Sequence, residues 1–291
     1  MGSNMLITIT FAIIPMGLPF PQQLDKPLER KGQWKIWGRH CYPSQQNTIC
    51  RYKANFGYYV DKSSKNVNSQ EYIENEILFM SYLSTKMNSM IPDYYGWYEV
   101  DNRKHLYMEH CTSDCLSTTI KNQVLFANRL TLIINRLHSL DIVHRDIKPD
   151  NIYYCKDSNG NMMYKLADLE DCSFTKTNEV ELTGTAMKGT KMYAAPEVLD
   201  CLTKDCSYDV KRADYYAFGA TLGRLFKVGY RPLTMNKASK VEINRVYRCY
   251  TEEDDEYWKA PKRMNKDLVQ YIKILTHCDP DKRQLITINN K

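Results

Sequence analysis

A short polar run in the middle of the chain carries the residue types that phosphoryl transfer requires. The run VHRDIKPDN, residues 143–151, contains Asp146, then Lys148 two residues later and Asn151 five residues after the aspartate. A carboxylate orients an attacking hydroxyl, a lysine neutralises charge on a migrating phosphoryl group, and an amide oxygen is a suitable ligand for Mg²⁺. The spacing therefore predicts one loop that supplies a base, a cation and a metal ligand.

A second group of acidic residues follows this loop along the chain. In YKLADLEDCS, residues 164–173, a short apolar run leads to Asp168, Glu170 and Asp171. A strand that ends in carboxylates is typical of a site for a positive ligand, and such oxygen atoms suit Mg²⁺. The run is therefore either a metal site or only a solvated loop, and we expect Asp171 to face solvent.

The residues before these motifs predict a small β-rich unit with one helix. Short runs rich in β-branched and aromatic residues are separated by Gly, Pro, Asn and Ser, which is typical of strands. They are WKIW, TICRYK and FGYYVDK before the helix and DYYGWYEV and KHLYMEH after it. The helix is predicted over residues 69–86, where helical spacing aligns Ile73, Ile77, Met80 and Leu83.

The residues after about 110 predict a larger, mainly helical unit. A strong amphipathic helix over residues 125–142 has an apolar face formed by Leu130, Ile133, Ile134 and Leu137. Residues 151–169 read as two strands joined by a turn that contains Asn-Gly, and helical periods return in YYAFGATLGRLF and DLVQYIKILTHC. The predicted fold class is therefore α+β, with two lobes that meet near residue 110.

Four motifs in order along the chain resemble the eukaryotic protein kinase family. They are HRDIKPDN at 144–151, GTKMYAAPE at 189–197, DYYAFG at 214–219 and DPDKR at 279–283. The resemblance covers residues 34–285 and implies a single bilobed kinase domain. It divides the chain into an N-terminal extension (1–33), an N-lobe (34–110) and a C-lobe (111–291). It also implies that Arg283 pairs with Glu197.

The resemblance implies a role for each matched position of the C-lobe. Asp146 matches the catalytic base and Lys148 the lysine that contacts the transferred phosphate. Asn151 and Asp168 match the two Mg²⁺ ligands. Thr190 matches a threonine that contacts the catalytic aspartate, and together with Lys148 it favours a serine/threonine kinase over a tyrosine kinase.

The resemblance also implies how the N-lobe and the hinge bind ATP. Lys62 matches the lysine that holds the α- and β-phosphates, and Glu76 is its expected ion-pair partner. Met108 matches the gatekeeper at the back of the adenine pocket. Glu109 to Cys111 are expected to offer backbone groups to adenine.

Three departures from the family pattern affect nucleotide binding. The glycine-rich loop is missing, because residues 37–50 contain Gly38 alone and a proline at 43. Glu170 replaces the glycine of Asp-Phe-Gly, which would cost roughly 1–2 kcal/mol if the backbone needed a positive φ there. Tyr153 stands where the family generally has a leucine beneath adenine.

The expected function is therefore an ATP-dependent serine/threonine protein kinase that uses Mg²⁺, with Mn²⁺ as the alternative metal. The rival is a pseudokinase that keeps the bilobed shape and acts by binding partners. A small-molecule phosphotransferase fits poorly, because YAAPE and Arg283 are typical of kinases that act on proteins. Phosphate on a hydroxyl of residues 172–188 would pair with Arg145, while Glu179 and Glu181 leave constitutive activity as an alternative.

Composition restricts the setting and the partners. The chain has 291 residues and a net charge of +6, with basic residues scattered along it, so a nucleic-acid groove is not indicated. The apolar start MLITITFAII is too short to span a bilayer, so no membrane association is expected. Ten cysteines without a Cys-x-x-Cys pair predict free thiols in a reducing compartment, the cytoplasm or the nucleus. The acidic run 251–257 is expected to be a solvated face, with binding of a basic protein substrate as the alternative. The sequence does not predict an oligomeric state.

Overall fold

The computed structural model describes residues 23–24, 36–43, 47–54, 57–66, 69–112, 120–156, 161–175, 179–182, 188–203, 206–230 and 249–289. These residues form a β-rich N-terminal lobe with one long helix and a mainly helical C-terminal lobe. The predicted α+β fold class is confirmed.

The N-terminal lobe is built on one antiparallel sheet of five strands. The strands are β1 (Ile36–Pro43), β2 (Asn47–Ala54), β3 (Gly57–Ser64), β4 (Tyr94–Val100) and β5 (Arg103–Glu109). Their order in the sheet is β1-β2-β3-β5-β4, so β3 lies at the centre. Lys62 on β3 is therefore held between a strand on either side, opposite Ile49 of β2 and Leu106 of β5.

One helix, α1 (Gln70–Ser84), packs on this sheet. Its predicted apolar face is buried, with Ile73, Ile77, Met80 and Leu83 no more than 3% exposed. Glu76 lies on the same face and is 1% exposed. A carboxylate in such a position is costly unless a cation reaches it, which points to the strand beneath the helix.

The C-terminal lobe is organised around three long helices. They are α2 (Gln123–Ser139), α4 (Val210–Phe226) and α5 (Lys266–Leu275), and the short helix α3 (Pro196–Asp200) precedes α4. Gly219 of α4 allows close packing on α5, because a Cβ there would lie 2.6 Å from the Cβ of Leu275. The four apolar residues predicted for α2 are all buried.

Pairs of short strands lie between these helices along the chain. The predicted hairpin is present as β7 (Ile152–Lys156) paired antiparallel with β8 (Met162–Leu166). Before it, β6 (Ile142–Val143) pairs with β9 (Ser173–Phe174), and after it β10 (Glu179–Leu182) pairs with β11 (Cys206–Asp209). A last pair, β12 (Gly229–Tyr230) and β13 (Trp258–Lys259), lies beyond α4. Residues 144–151, called the catalytic loop below because they match that motif of the kinase family, thus run between β6 and β7.

Only Gln23 and Leu24 of the N-terminal extension fall within the described residues. Gln23 bridges Trp97 of β4 in parallel, and the Leu24 N–H donates to the Trp97 carbonyl at 2.8 Å. This contact extends the sheet at its β4 edge. Among the helices of the described residues, none combines the length and the apolar character needed to cross a bilayer.

The cysteines differ from expectation. Four disulfide bonds join Cys41–Cys50, Cys111–Cys155, Cys201–Cys206 and Cys249–Cys278, so the prediction of ten free thiols is wrong. Cys172 is the free cysteine among the described residues, and it is buried. Two bridges join cysteines 5 and 9 residues apart and two join cysteines 29 and 44 residues apart, so no common spacing marked the pairs. The inference of a reducing compartment loses the observation on which it rested.

We expect the bridge with the longer enclosed loop to stabilise the protein more. The separation is 29 residues for Cys249–Cys278 and 5 for Cys201–Cys206. Chain-entropy arguments give a loss of about 3–4 kcal/mol for the double variant Cys249→Ala/Cys278→Ala and about 2 kcal/mol for Cys201→Ala/Cys206→Ala. Urea unfolding without reductant, with alkylation and mass spectrometry to count thiols, measures both. Equal stability of the three proteins, with all thiols open to alkylation, would contradict the bridges.

Candidate active site

The catalytic loop is held from below by a buried aspartate of α4. The Asp214 carboxylate accepts the N–H groups of His144 and Arg145 at 2.8 and 2.9 Å, and the His138 ring nitrogen lies 2.8 Å away. Burial raises the pKa of Asp214, but the hydrogen bond from His138 and the nearby His144 outweigh it, so the pKa is lowered. These bonds fix a backbone in which Arg145 has φ 66°. The sequence marked Asp214 only as part of a motif, and its support of the loop was missed.

The Asp146 carboxylate is oriented on both oxygens. Its Oδ1 accepts the Thr190 N–H at 2.8 Å, and its Oδ2 accepts the Lys148 ammonium at 2.5 Å. The Asn151 side-chain amide donates to the Asp146 carbonyl at 2.9 Å and to Oδ2 at 3.1 Å. Lys148 also donates to the Thr190 hydroxyl at 3.0 Å. The structure thus brings the predicted base, cation and amide into one hydrogen-bonded group.

Across the cleft, one lysine is surrounded by three carboxylates. The Lys62 ammonium lies 2.7 Å from Glu76, 2.6 Å from Asp168 and 3.0 Å from Glu170. The Lys62 side chain is 8% exposed and that of Glu76 is 2% exposed. Strand β3, helix α1 and the turn after β8 therefore meet at a single buried cation.

The pKa values of this group show how its charges are balanced. Burial opposes the charge of Lys62, but Asp168, Glu76 and Glu170 raise its pKa well above the ordinary value. Burial also raises the pKa of Glu76, to about 7, in spite of Lys62. The pKa of Asp168 is lowered, because the attraction and hydrogen bond of Lys62 outweigh its burial. One ammonium group is thus shared by several carboxylates. The negative charge that it does not neutralise favours the binding of a further cation.

Glu170 has a structural partner that the sequence did not reveal. Besides Lys62, its carboxylate accepts the Asn47 side-chain amide of β2 at 2.9 Å, and its carbonyl accepts the Asn75 amide of α1 at 2.8 Å. It lies in a 3₁₀ turn (Leu169–Asp171), and the positive φ of this segment is at Asp168, at 65°. The strain considered for Glu170 is therefore absent, because its backbone does not adopt a left-handed conformation.

Asp171 is buried and does not face solvent, which corrects the expectation. It is 9% exposed, and its carboxylate accepts the Gly189 N–H at 3.1 Å. The Arg145 side chain donates to the Asp171 carbonyl at 2.6 Å. A contact between the acidic turn and the segment before Thr190 could not be inferred from spacing, because 18 residues separate the two partners.

A cavity of about 290 Å³ lies between the two lobes beside these residues. Its walls include Val60, Lys62, Met108, Glu109, Cys111, Lys148, Tyr153, Asp168 and Glu170. Met108 is 6% exposed. Tyr153 lies at the wall, as its sequence position predicted. The volume suits a small organic ligand rather than a macromolecule.

The hinge residues have contacts that narrow their possible role. The Glu109 N–H donates to the Asp93 carbonyl at 2.9 Å, and the Glu109 carboxylate accepts Lys165 at 2.6 Å. Cys111 is bonded to Cys155 of β7. Glu109 therefore uses its side chain and its N–H within the protein.

The hairpin of β1 and β2 forms although it lacks the family's glycine-rich loop. Strands β1 and β2 pair over their length, and Cys41 is bonded to Cys50 across them. The turn itself, residues 44–46, lies outside the described residues. The cross-link and the Asn47–Glu170 hydrogen bond hold this hairpin by side chains.

The donor atoms present fit a divalent metal. The Asn151 side-chain nitrogen donates to Asp146, so the amide oxygen is the atom left for a metal. Asp168 supplies carboxylate oxygens, and oxygens of Glu76, Asp168 and Glu170 lie within 4.8 Å of one another. Mg²⁺ and Mn²⁺ prefer such oxygen ligands.

The segment that follows Thr190 is anchored by a buried ion pair. The Arg283 guanidinium is 0% exposed and donates to both Glu197 oxygens, at 2.6 and 3.0 Å. The pairing implied by the resemblance is therefore present. Such a bidentate contact fixes geometry as well as charge, so α3 and the residues before it have a defined position.

Comparison with known proteins gives the same family. The sequence pattern of the protein kinase domain matches residues 52–289. Over 221 residues the chain is 27% identical to calcium/calmodulin-dependent protein kinase type 1B of Rattus norvegicus, covering 72% of this chain and 59% of the relative. Over 272 residues it is 29% identical to calcium-dependent protein kinase 22 of Arabidopsis thaliana, covering 84% of this chain and 52% of the relative.

The chain thus spans little more than half the length of these curated relatives. The family assignment rests on the domain match, which covers most of the chain and includes the catalytic loop, the acidic turn and the Arg283–Glu197 pair. The chain belongs to the protein kinase family.

Proposed function

We propose that this chain is an active kinase that transfers the γ-phosphoryl group of ATP to a serine or threonine of a protein. The observation that carries the proposal is that both halves of the site are assembled at once. Asp146 is oriented by Thr190 and Lys148 on one side of the cleft, and Lys62 is paired with Glu76 on the other.

The proposed reaction assigns each bond to a residue of this chain. Asp146 orients the substrate hydroxyl and receives its proton as the oxygen bonds to the γ-phosphorus and the bond to the β-phosphate oxygen breaks. Lys148, 2.5 Å from Asp146, neutralises charge that develops on the transferred group. Lys62 aligns the α- and β-phosphates. Mg²⁺ or Mn²⁺, held by Asn151 and Asp168, would offset the remaining phosphate charge.

The proposed adenine site is the rear of the cavity. Met108 closes it, and the Glu109 carbonyl together with backbone groups of Cys111 would contact the base. Serine or threonine is the proposed acceptor because Lys148 and Thr190, which contact each other, match the pattern of serine/threonine kinases.

The second candidate function is a pseudokinase, and two observations favour it. Glu170 lies against Lys62 at 3.0 Å, where it competes with phosphate oxygens for the ammonium. Tyr153 lines the cavity at a position where the family generally has a leucine. These features act on nucleotide affinity, whereas the groups needed for the chemical step are all present, so catalysis is the better supported function.

A basic protein substrate is not favoured by the acidic run 251–257. Glu252 lies near His277 and Lys282, and Asp255 contacts Lys273 and Tyr250. The charges of these two carboxylates are thus offset by basic residues of the same chain. The calcium and calmodulin in the relatives' names refer to those proteins and not to this chain.

Activity is tested with γ-labelled ATP, a generic protein substrate and either Mg²⁺ or Mn²⁺. We expect label on serine or threonine, and at least a roughly 10²-fold loss in Asp146→Ala, because a positioned base contributes about that much. Equal silence of both proteins under both metals would contradict catalysis. A thermal shift with ATP and metal in that case would leave the pseudokinase as the function.

Glu170 is expected to make ATP binding depend strongly on metal. Its charge repels phosphate when metal is absent and favours the complex when metal is present, so Glu170→Gln should tighten ATP binding in EDTA and weaken it in Mg²⁺. The ratio of the two Kd values should change by roughly 10-fold. Calorimetry measures both, with Glu74→Gln on the exposed side of α1 as the matched control. An unchanged ratio would refute the assigned role.

Removal of Lys62 should destabilise the protein in a pH-dependent way. Lys62→Met leaves buried carboxylates without their cation, at a cost of about 3 kcal/mol near pH 8. The pKa of Glu76, already raised to about 7, should rise further in the folded variant. A carboxyl with a higher pKa in the folded state binds more protons there, so the loss should shrink from pH 8 to pH 6.

Urea unfolding of wild type and variant at both pH values measures this change. Lys104→Met is the matched control, because it removes a lysine from an exposed pair with Glu74 and should cost less than about 1 kcal/mol. A loss that stays constant with pH would mean that the carboxylates are not coupled through Lys62.

A further inference from the structure

Asp171 joins two parts of the site that no other described carboxylate connects. It ends the acidic turn after β8 and is 9% exposed. Its Oδ2 accepts the Gly189 N–H at 3.1 Å, and its Oδ1 is buried with no hydrogen-bond partner among the described residues. Burial of a carboxylate with one unpaired oxygen is costly, so Asp171 is expected to have a specific structural role.

Gly189 passes so close to the catalytic loop that its position fixes that of Thr190. Its φ is +84°, and a Cβ there would lie 2.1 Å from the Arg145 carbonyl oxygen. The next residue, Thr190, donates its N–H to Asp146 and accepts Lys148 on its hydroxyl. A displacement at Gly189 would therefore move the group that orients the catalytic base.

The backbone of Asp171 also contacts Arg145, the residue expected to pair with a phosphate on residues 172–188. The Arg145 Nε–H donates to the Asp171 carbonyl at 2.6 Å. On the other side of the segment, the Lys188 ammonium lies 4.6 Å from the centre of the Tyr72 ring on α1. The residues just before Thr190 are thus held between α1 and the catalytic loop by groups of the chain itself.

We propose that Asp171 is a positioning residue that orders residues 188–190, so that this chain needs no phosphate on a hydroxyl of residues 172–188 for activity. The inference rests on the proposed kinase activity and adds to it the mode of control. Asp171 does not touch the reacting atoms, and it acts through Gly189 and Thr190 on Asp146.

The first test compares Asp171→Ala with the conservative variant Asp171→Asn in unphosphorylated protein, verified by mass. Loss of one hydrogen bond to a buried carboxylate should lower kcat about 10-fold in Asp171→Ala and leave the KM for ATP within about 2-fold. Asp171→Asn keeps an oxygen for the Gly189 N–H and should recover most of kcat. Glu253→Ala, an exposed carboxylate of the C-lobe, is the control and should match wild type.

The second test does not depend on activity. Hydrogen exchange of the amides of residues 188–193 should be slow in unphosphorylated wild type and in Asp171→Asn, and about 10-fold faster in Asp171→Ala. Unchanged exchange in Asp171→Ala, or slow exchange only after phosphorylation, would overturn the inference. If no form of the protein transfers phosphate, the proposed function fails, and the exchange result still decides the role of Asp171.

Discussion

The arrangement of the whole site depends on the ion pairs around Lys62. Its ammonium is the common neighbour of Glu76 on α1 and of Asp168 and Glu170 on the turn after β8. Placing these charges in a poorly solvated region costs several kcal/mol per ion, and only close pairing offsets that cost. The lobes therefore have one favourable arrangement here, in which β3, α1 and the acidic turn meet. The N-terminal sheet gains a further tie because Asn47 contacts Glu170.

The opposite wall of the cleft is fixed by the C-terminal lobe in the same manner. Asp214 accepts two N–H groups of the catalytic loop, and Arg283 binds Glu197 with two hydrogen bonds. Between these anchors, Asp146 is oriented by Thr190, Lys148 and Asn151. The side chains that would act on a phosphoryl group are therefore held in place by the buried polar contacts of Asp214 on α4 and of Arg283.

The motifs that match a family were predictable from sequence, and the contacts made by departures from the family were not. Periodicity located α1 and α2 with their buried faces, and motif order gave the fold. Glu170 and Asp171 were harder, because local sequence does not say that Asn47 and Gly189 come near them. The strain considered for Glu170 does not arise, and the expectation that Asp171 faces solvent was wrong for that reason. The four disulfides were also missed, because their separations range from 5 to 44 residues and no single spacing identifies the pairs.

The central claim is that the carboxylates around Lys62 form a metal–nucleotide site and not only an internal ion-pair group. Equilibrium binding of Mn²⁺, followed by electron paramagnetic resonance, tests it directly. Because Lys62 offsets part of the charge of Asp168 and Glu170, we predict weak Mn²⁺ binding alone and at least roughly 10-fold tighter binding with ATP, lost in Asp168→Asn. Mn²⁺ binding that is unaffected by ATP, or equal in Asp168→Asn, would contradict it.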